Sequence, residues 1–302
     1  MEYIFSILYG IIEGITEWLP VSSTGHLILF EKFFQISPSE SFMEMFRVVV
    51  QLGAIMAVVI LYWSKLWPFH RKRSDIHWWK TKIDSPVFGG LQSFADKYVD
   101  MPKIILWLKI LVACLPAALI GLIFDDKLDA AFYNFPTVSL MLIIYGILFI
   151  VVENRNAKRN IAKTKNLSVL TYKTAVIIGI FQLLALIPGT SRSGATILGA
   201  ILIGCSREVA AEFSFFLAIP VMFGASLLKC VKFAAEVGSG EVMIGTNEIL
   251  ILIIGIVVSF IVSVFAIKFL VGYIKKNDFK FFGYDRIVLG AILLIYIAFA
   301  GV

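Results

Sequence analysis

The sequence predicts an all-α integral membrane protein: six transmembrane helices plus two re-entrant helical hairpins in an inverted-topology repeat. Three observations carry this prediction. Apolar runs of the length that crosses a bilayer, about 20 helical residues, recur along the chain. Charges in the segments between them alternate in sign. Two short polar stretches interrupt the apolar sequence, and each resembles the other. Hydrophobic residues make up 59% of the 302 and charged ones only 16%, against about a quarter in soluble domains.

The elements follow in order. Region 1–30 is broken by Glu13-Gly-Ile-Thr-Glu17-Trp-Leu-Pro20-Val-Ser22-Ser23-Thr24-Gly25-His26. Each half is too short to span, so the region reads as a hairpin, tolerated where backbone lines a protein-enclosed cavity. Two full crossings are the competing reading. Spanning runs follow at 45–63, 104–124 and 135–153, then a linker at 154–173. Region 174–205 is broken by Gln182-Leu-Leu-Ala-Leu-Ile-Pro188-Gly189-Thr190-Ser191-Arg192-Ser193-Gly194 and reads as the second hairpin. Runs at 213–232, 248–271 and 286–302 complete a single membrane domain over 1–302, with repeat 1 at about 1–153 and repeat 2 at about 174–302.

Basic residues mark cytoplasmic loops. They fill 64–103, 154–173 and 272–286, the last counting Arg286 among its charges. The alternating segments are acidic: Glu31, Glu40 and Glu44; Asp125, Asp126 and Asp129; Glu236 and Glu241. The signs agree if hairpin 1 enters from outside, hairpin 2 from inside, and both termini lie outside. The net charge of +6 therefore reports topology. Without a polybasic face interleaved with aromatics, no nucleic-acid partner is expected. Cys114, Cys205 and Cys230 stand alone in apolar runs, which argues against a disulfide or zinc site. No cleaved signal peptide is expected. The 64–103 loop, with His70, His77, Trp67, Trp78 and Trp79, reads as a solvated excursion with an interfacial aromatic anchor.

A shift of 169 residues superposes Gly10 on Gly179, Glu13 on Gln182, Ser22 on Ser191 and Gly25 on Gly194. Three crossings per half turn the second half upside down. The site of such a repeat lies near the midplane, where the halves meet.

Polar groups at that depth are costly and functional by default. Glu13 and Glu17 are four apart and share a helical face. Two neighbouring carboxylates are held by a proton, a guanidinium or a divalent cation, and Mg2+ or Ca2+ suits such oxygens with phosphate completing the shell. Pro20 ends the helix, and Ser22, Ser23 and Thr24 are natural caps for the next. Helix N-termini here and at Ser191-Arg192-Ser193 would offer free N–H groups to an anion, with Gly25 and Gly194 in the same first turns. Ser23 suits a nucleophile, His26 an acid/base, and the forked Arg192 guanidinium a phosphate clamp or a partner for Glu13 or Glu17. The set fits a diphosphate with a metal ion, and no P-loop or dinucleotide fingerprint is present. A substrate with a lipid tail arriving sideways is the economical reading. Arg207, Glu208 and Glu212 read as helix-end and interface charges.

These motifs, together with Gln51-Leu-Gly53-Ala-Ile and Ala211-Glu-Phe-Ser214-Phe, resemble the undecaprenyl-diphosphate phosphatase family, also called bacitracin-resistance proteins. The likeness runs over nearly the whole chain. It implies a bacterial inner-membrane hydrolase that removes the terminal phosphate of undecaprenyl diphosphate to supply carrier lipid for peptidoglycan, with a site open to the periplasm. It implies that Glu13 and Glu17 are the acidic metal- or water-handling pair with a divalent cation, and that Glu17, Ser23, His26 and Arg192 carry catalysis, Arg192 as the phosphate clamp; the two helix N-termini add Ser22, Thr24, Gly25, Ser191, Ser193 and Gly194 as expected diphosphate-binding residues. A homodimer is compatible with the chain. Two departures stand out, a long 64–103 loop and Arg47 where a neutral or acidic residue is expected. The rival reading is a transporter or flippase of a lipid phosphate or small anion, since inverted repeats and broken helices are transporter hallmarks; a carboxylate–serine–histidine set favours chemistry over transport.

Overall fold

The computed structural model describes residues 1–34, 39–69, 94–159 and 162–300. Among them six helices are long and apolar enough to cross a membrane: Glu40–Leu61 (α3), Met101–Phe132 (α4), Phe135–Arg159 (α5), Arg207–Gly238 (α8), Thr246–Ile274 (α9) and Lys280–Ala300 (α10). Four shorter helices flank the two polar motifs: Glu2–Thr16 (α1), Ser23–Phe33 (α2), Tyr172–Gln182 (α6) and Arg192–Leu202 (α7). An 11-residue helix is about 16 Å long, roughly half a hydrocarbon core of ~30 Å. The chain is thus a multi-pass membrane protein with one pair of short helices before each set of three long ones.

Observed ends differ from the expected ones where hydropathy is a poor guide. Helix α8 begins at Arg207 rather than near 213 because Ser206 caps it, accepting from the Val209 N–H at 3.3 Å. Helix α4 continues to Phe132 through the acidic 125–129 segment. Composition marks where lipid ends, and a helix needs lipid at neither end. Helix α1 ends at Thr16, well before Pro20, and α6 at Gln182, before a 3₁₀ turn at Leu183–Leu186. Proline lacks an N–H and disfavours helical geometry in the residue before it, so unwinding starts upstream. One expectation is corrected: Arg286 is no loop charge but a fully buried residue of α10. His70, His77, Trp78 and Trp79 lie outside the described residues, while Trp67 stacks on Trp63 at 4.6 Å.

The two sets interlock. Helix α1 packs on α9 and α6 on α4; α3 packs on α9 and α8 on α4; α3 also meets α8, and α5 lies along α10. Each leading short helix therefore leans on a long helix of the opposite set. Glycine allows the approach: a β-carbon on Gly10 would meet the Gly255 carbonyl, and one on Gly179 that of Ala113. The second short helices, α2 and α7, both pack against α5. That places the turn before each of them beside the α5–α10 pair.

Ion pairs close the ends. Arg47 gives Nε and Nη2 to Glu31 at 2.9–3.2 Å and Nη1 to Glu40 at 3.2 Å. Its unexpected charge is balanced within the protein and ties α2 to α3. Glu153, almost fully buried, takes both arms of Arg207 at 2.9 and 2.6 Å and the Phe279 N–H at 3.2 Å. Lys65 pairs with Glu212. These bonds give Arg207 and Glu212 the interface role expected of them.

Candidate active site

Each broken turn ends in a serine with an unusual backbone. Ser22 has φ 75° and Ser191 φ 68°, the non-glycine residues with positive φ among those described. Such geometry costs about 1–3 kcal/mol and persists where surrounding structure imposes it, commonly at functional sites. Both serines cap the helix that follows: Ser22 Oγ accepts from the Gly25 N–H at 3.3 Å and Ser191 Oγ from the Gly194 N–H at 3.2 Å. The two caps stand 169 residues apart, the offset read from sequence. Ser22 is completely buried, so its hydroxyl serves the cap; Ser191 Oγ lies 3.2 Å from Ser193 Oγ.

Glu17 joins the two turns. It caps the C-terminus of α1 with its backbone still helical (φ −66°, ψ −39°) and its N–H on the Glu13 carbonyl at 3.0 Å. Oε2 accepts the Ser23 hydroxyl at 3.0 Å, Oε1 accepts Arg192 Nη2 at 3.0 Å, and its main-chain carbonyl accepts Ser193 Oγ at 3.1 Å. Side-chain exposures of 7% for Glu17 and 12% for Arg192 make this a desolvated pair. Removing one member of such a pair strands the other, at about 3–5 kcal/mol, whereas surface pairs contribute roughly 0–1.

Arg192 is the first residue of α7 and is held on two sides. Besides Glu17, its Nη1 donates to the Ser214 carbonyl at 2.9 Å, while Nε is buried without a partner. Thr196 Oγ1 backs it, donating to the Arg192 carbonyl at 2.9 Å and lying 2.7 Å from Ser214 Oγ. Neither Ser214 nor Thr196 was singled out from sequence, although Ser214 lies within a stretch that carries the resemblance. A guanidinium fixed at two corners presents its remaining donor in a defined direction.

Glu13 lies one helical turn before Glu17 and is fully buried. Neither of its oxygens receives a hydrogen bond. A buried carboxyl group without a donor is satisfied by a proton of its own or by a cation. The oxygens of Glu13 and Glu17, one helical turn apart, are the donor type that a hard divalent ion would take. Among the described residues no group of three ionisable ligands exists to hold a metal by protein alone.

His26 sits in the first turn of α2, partly exposed. Its Nδ1 is 2.9 Å from the Ser22 carbonyl. A carbonyl only accepts, so Nδ1 is the donor in this contact. The structure joins Glu17, Ser23, Arg192 and Ser193 by direct hydrogen bonds and places His26 one turn beyond Ser23 with no bond to them among the described residues. Thr24 is partly exposed beside Ser23, and Gly25 and Gly194 are buried in the first turns of α2 and α7.

Residues 6–292 match the sequence model of the family described as bacitracin resistance protein BacA. A protein of Enterococcus faecalis named undecaprenyl-diphosphatase is 60% identical over 98% of this chain and 97% of its own length. Proteins of the same name from Acetivibrio thermocellus and Desulfitobacterium hafniense are 57% and 55% identical, covering 98% of this chain and 98% and 96% of their own lengths.

Proposed function

The chain belongs to the bacitracin resistance protein BacA family, and from that premise we propose how it hydrolyses the terminal phosphate of undecaprenyl diphosphate, giving undecaprenyl phosphate and inorganic phosphate. One observation carries the mechanism: Glu17 holds the Ser23 hydroxyl with one oxygen and Arg192 with the other. A proton acceptor is thereby fixed between a nucleophile and a clamp, each from a different turn.

The lipid enters sideways, and its diphosphate lies against the N-termini of α2 and α7, with Arg192 on the terminal phosphate. Thr24 and Ser193 supply first-turn donors, while the Gly25 and Gly194 N–H groups stay with the Ser22 and Ser191 caps that hold those turns in shape. The attacking oxygen is Ser23 Oγ, or water held against Glu17 in its place. As it bonds to phosphorus, its proton moves to Glu17 and the bridging oxygen leaves with the lipid monophosphate; where Ser23 attacks, water then displaces it from the phosphoserine and inorganic phosphate is released. His26, in the first turn of α2, takes the proton of that water, and the Ser23 oxygen recovers its own from Glu17. Phosphoryl transfer needs mainly positioning and charge stabilisation, and these groups supply both. A divalent cation, when bound at Glu13 and Glu17, would supply neutralising charge for the phosphate oxygens.

The two short-helix pairs are read as re-entrant hairpins of an inverted repeat. The reciprocal packing of α1 on α9 and α6 on α4, and the matched caps at Ser22 and Ser191, support that reading. The first hairpin opens to the outer face. In a cysteine-free variant, a cysteine at Ser239 is expected to label from outside intact cells and one at Ser168 only after permeabilisation; the reverse would invert the topology.

Purified protein in detergent, where no gradient exists, is expected to release phosphate from a prenyl diphosphate in the presence of Mg2+ or Ca2+, and to lose activity on chelation. No release would sink the phosphatase reading and favour transport of a lipid phosphate.

A further inference from the structure

The mechanism leaves the buried charge of Arg286 unused. Arg286, on α10, is fully buried, yet it bonds to main-chain carbonyls rather than to a carboxylate. Its Nε donates to the Pro20 carbonyl at 2.5 Å and its Nη2 to the Thr190 carbonyl at 2.8 Å. Those carbonyls belong to the two broken turns, Pro20 two residues before the Ser22 cap and Thr190 one before the Ser191 cap. Its Nη1 has no partner. The rings of Tyr145 and Phe149 lie 5.8 and 5.6 Å from the guanidinium carbon, on α5. A side chain at Gly194 would collide with Nη2, so glycine there keeps the arm in place.

We infer that Arg286 is a positioning residue for phosphoryl transfer: one guanidinium ties the two turns together and sets the separation between Ser23 and Glu17 on one side and Arg192 on the other. The inference rests on the reading of those turns as the phosphoryl-transfer site.

The physical case has three parts. Unwound backbone inside a membrane protein must find partners for its carbonyls, and here a single side chain serves one carbonyl from each turn. The planar fork holds two acceptors in fixed relative geometry, whereas an ammonium is a point donor on a flexible stem. The aromatic faces on α5 stabilise the cation from the side, so the fork is anchored to the α5–α10 pair against which both turns rest. The cross-turn bonds at Glu17 then form between partners already in register. A misplacement of about 1 Å at such a site costs on the order of a hundredfold in rate.

The test compares Arg286→Lys and Arg286→Met with the wild type, in detergent, by steady-state release of phosphate from a prenyl diphosphate. For Arg286→Met kcat is expected to fall about a hundredfold, with KM within threefold and the protein still monodisperse. Arg286→Lys keeps the buried cation and can hold one carbonyl, so its kcat is expected to lie between the two. Should Arg286→Met fail to fold, Arg286→Lys decides alone, with kcat at least tenfold down at unchanged KM. A folded variant with wild-type kcat would overturn the inference, as would a tenfold rise in KM at unchanged kcat, which would make Arg286 a substrate ligand through Nη1. An inactive wild type would instead defeat the phosphatase reading itself.

Discussion

Arg192→Ala is expected to lower kcat for phosphate release by roughly a thousandfold, the scale seen when a charge-stabilising donor is removed from a phosphoryl-transfer site. The truncation removes the clamp and strands Glu17, which retains Ser23 as a donor but loses its cation. Arg192→Lys is expected to recover little. Holding the Ser214 carbonyl and Glu17 Oε1 at 2.9 and 3.0 Å at once takes a fork, and lysine has none. The measurement is initial-rate phosphate release at saturating prenyl diphosphate, with gel filtration to show a folded protein. A rate within threefold of wild type would remove Arg192 from the mechanism.

Glu17→Gln carries the second large effect. The amide has the shape of the carboxylate and can still accept from Arg192, so the protein is expected to fold. It cannot take the Ser23 proton, and it presents an amide donor where one of two acceptors stood. Loss of a positioned base costs about 10²–10⁴-fold, and kcat is expected near the middle of that range with KM little changed. A variant with raised KM and intact kcat would mean that Glu17 only binds substrate.

Much of this was legible in the sequence because lipid enforces simple rules. Every backbone group must be satisfied within a span, so long apolar runs have few structures open to them, and all six appeared as helices near their expected places. The 169-residue offset was legible because capping is local: a serine after a broken helix and before a glycine has few roles, and Ser22 and Ser191 both cap. Arg192 and Glu17 were legible as buried opposite charges, and they pair.

What escaped notice depends on partners the sequence cannot name. Arg286 stands at the start of an apolar run, where a lone arginine resembles a loop charge; its partners are main-chain carbonyls more than ninety residues away in sequence. The Ser214 carbonyl that braces Arg192 carries no side-chain signal. Glu13 and Glu17 looked equivalent by spacing. They do share a helical turn, but the folded chain brings Ser23 and Arg192 to Glu17 and encloses Glu13 without a donor. A proline marks a break but not how far upstream the unwinding runs.

The central claim is that Glu17 and Arg192, from opposite halves of the chain, act as one unit. The most direct measurement is a double-mutant cycle on kcat with Glu17→Gln, Arg192→Ala and the combined variant. Because the two groups share a hydrogen bond, their effects should be strongly non-additive. The double variant is expected to be no more than about threefold slower than the worse single one. Losses that multiply, so that the double variant shows the product of the two single defects, would contradict a coupled site.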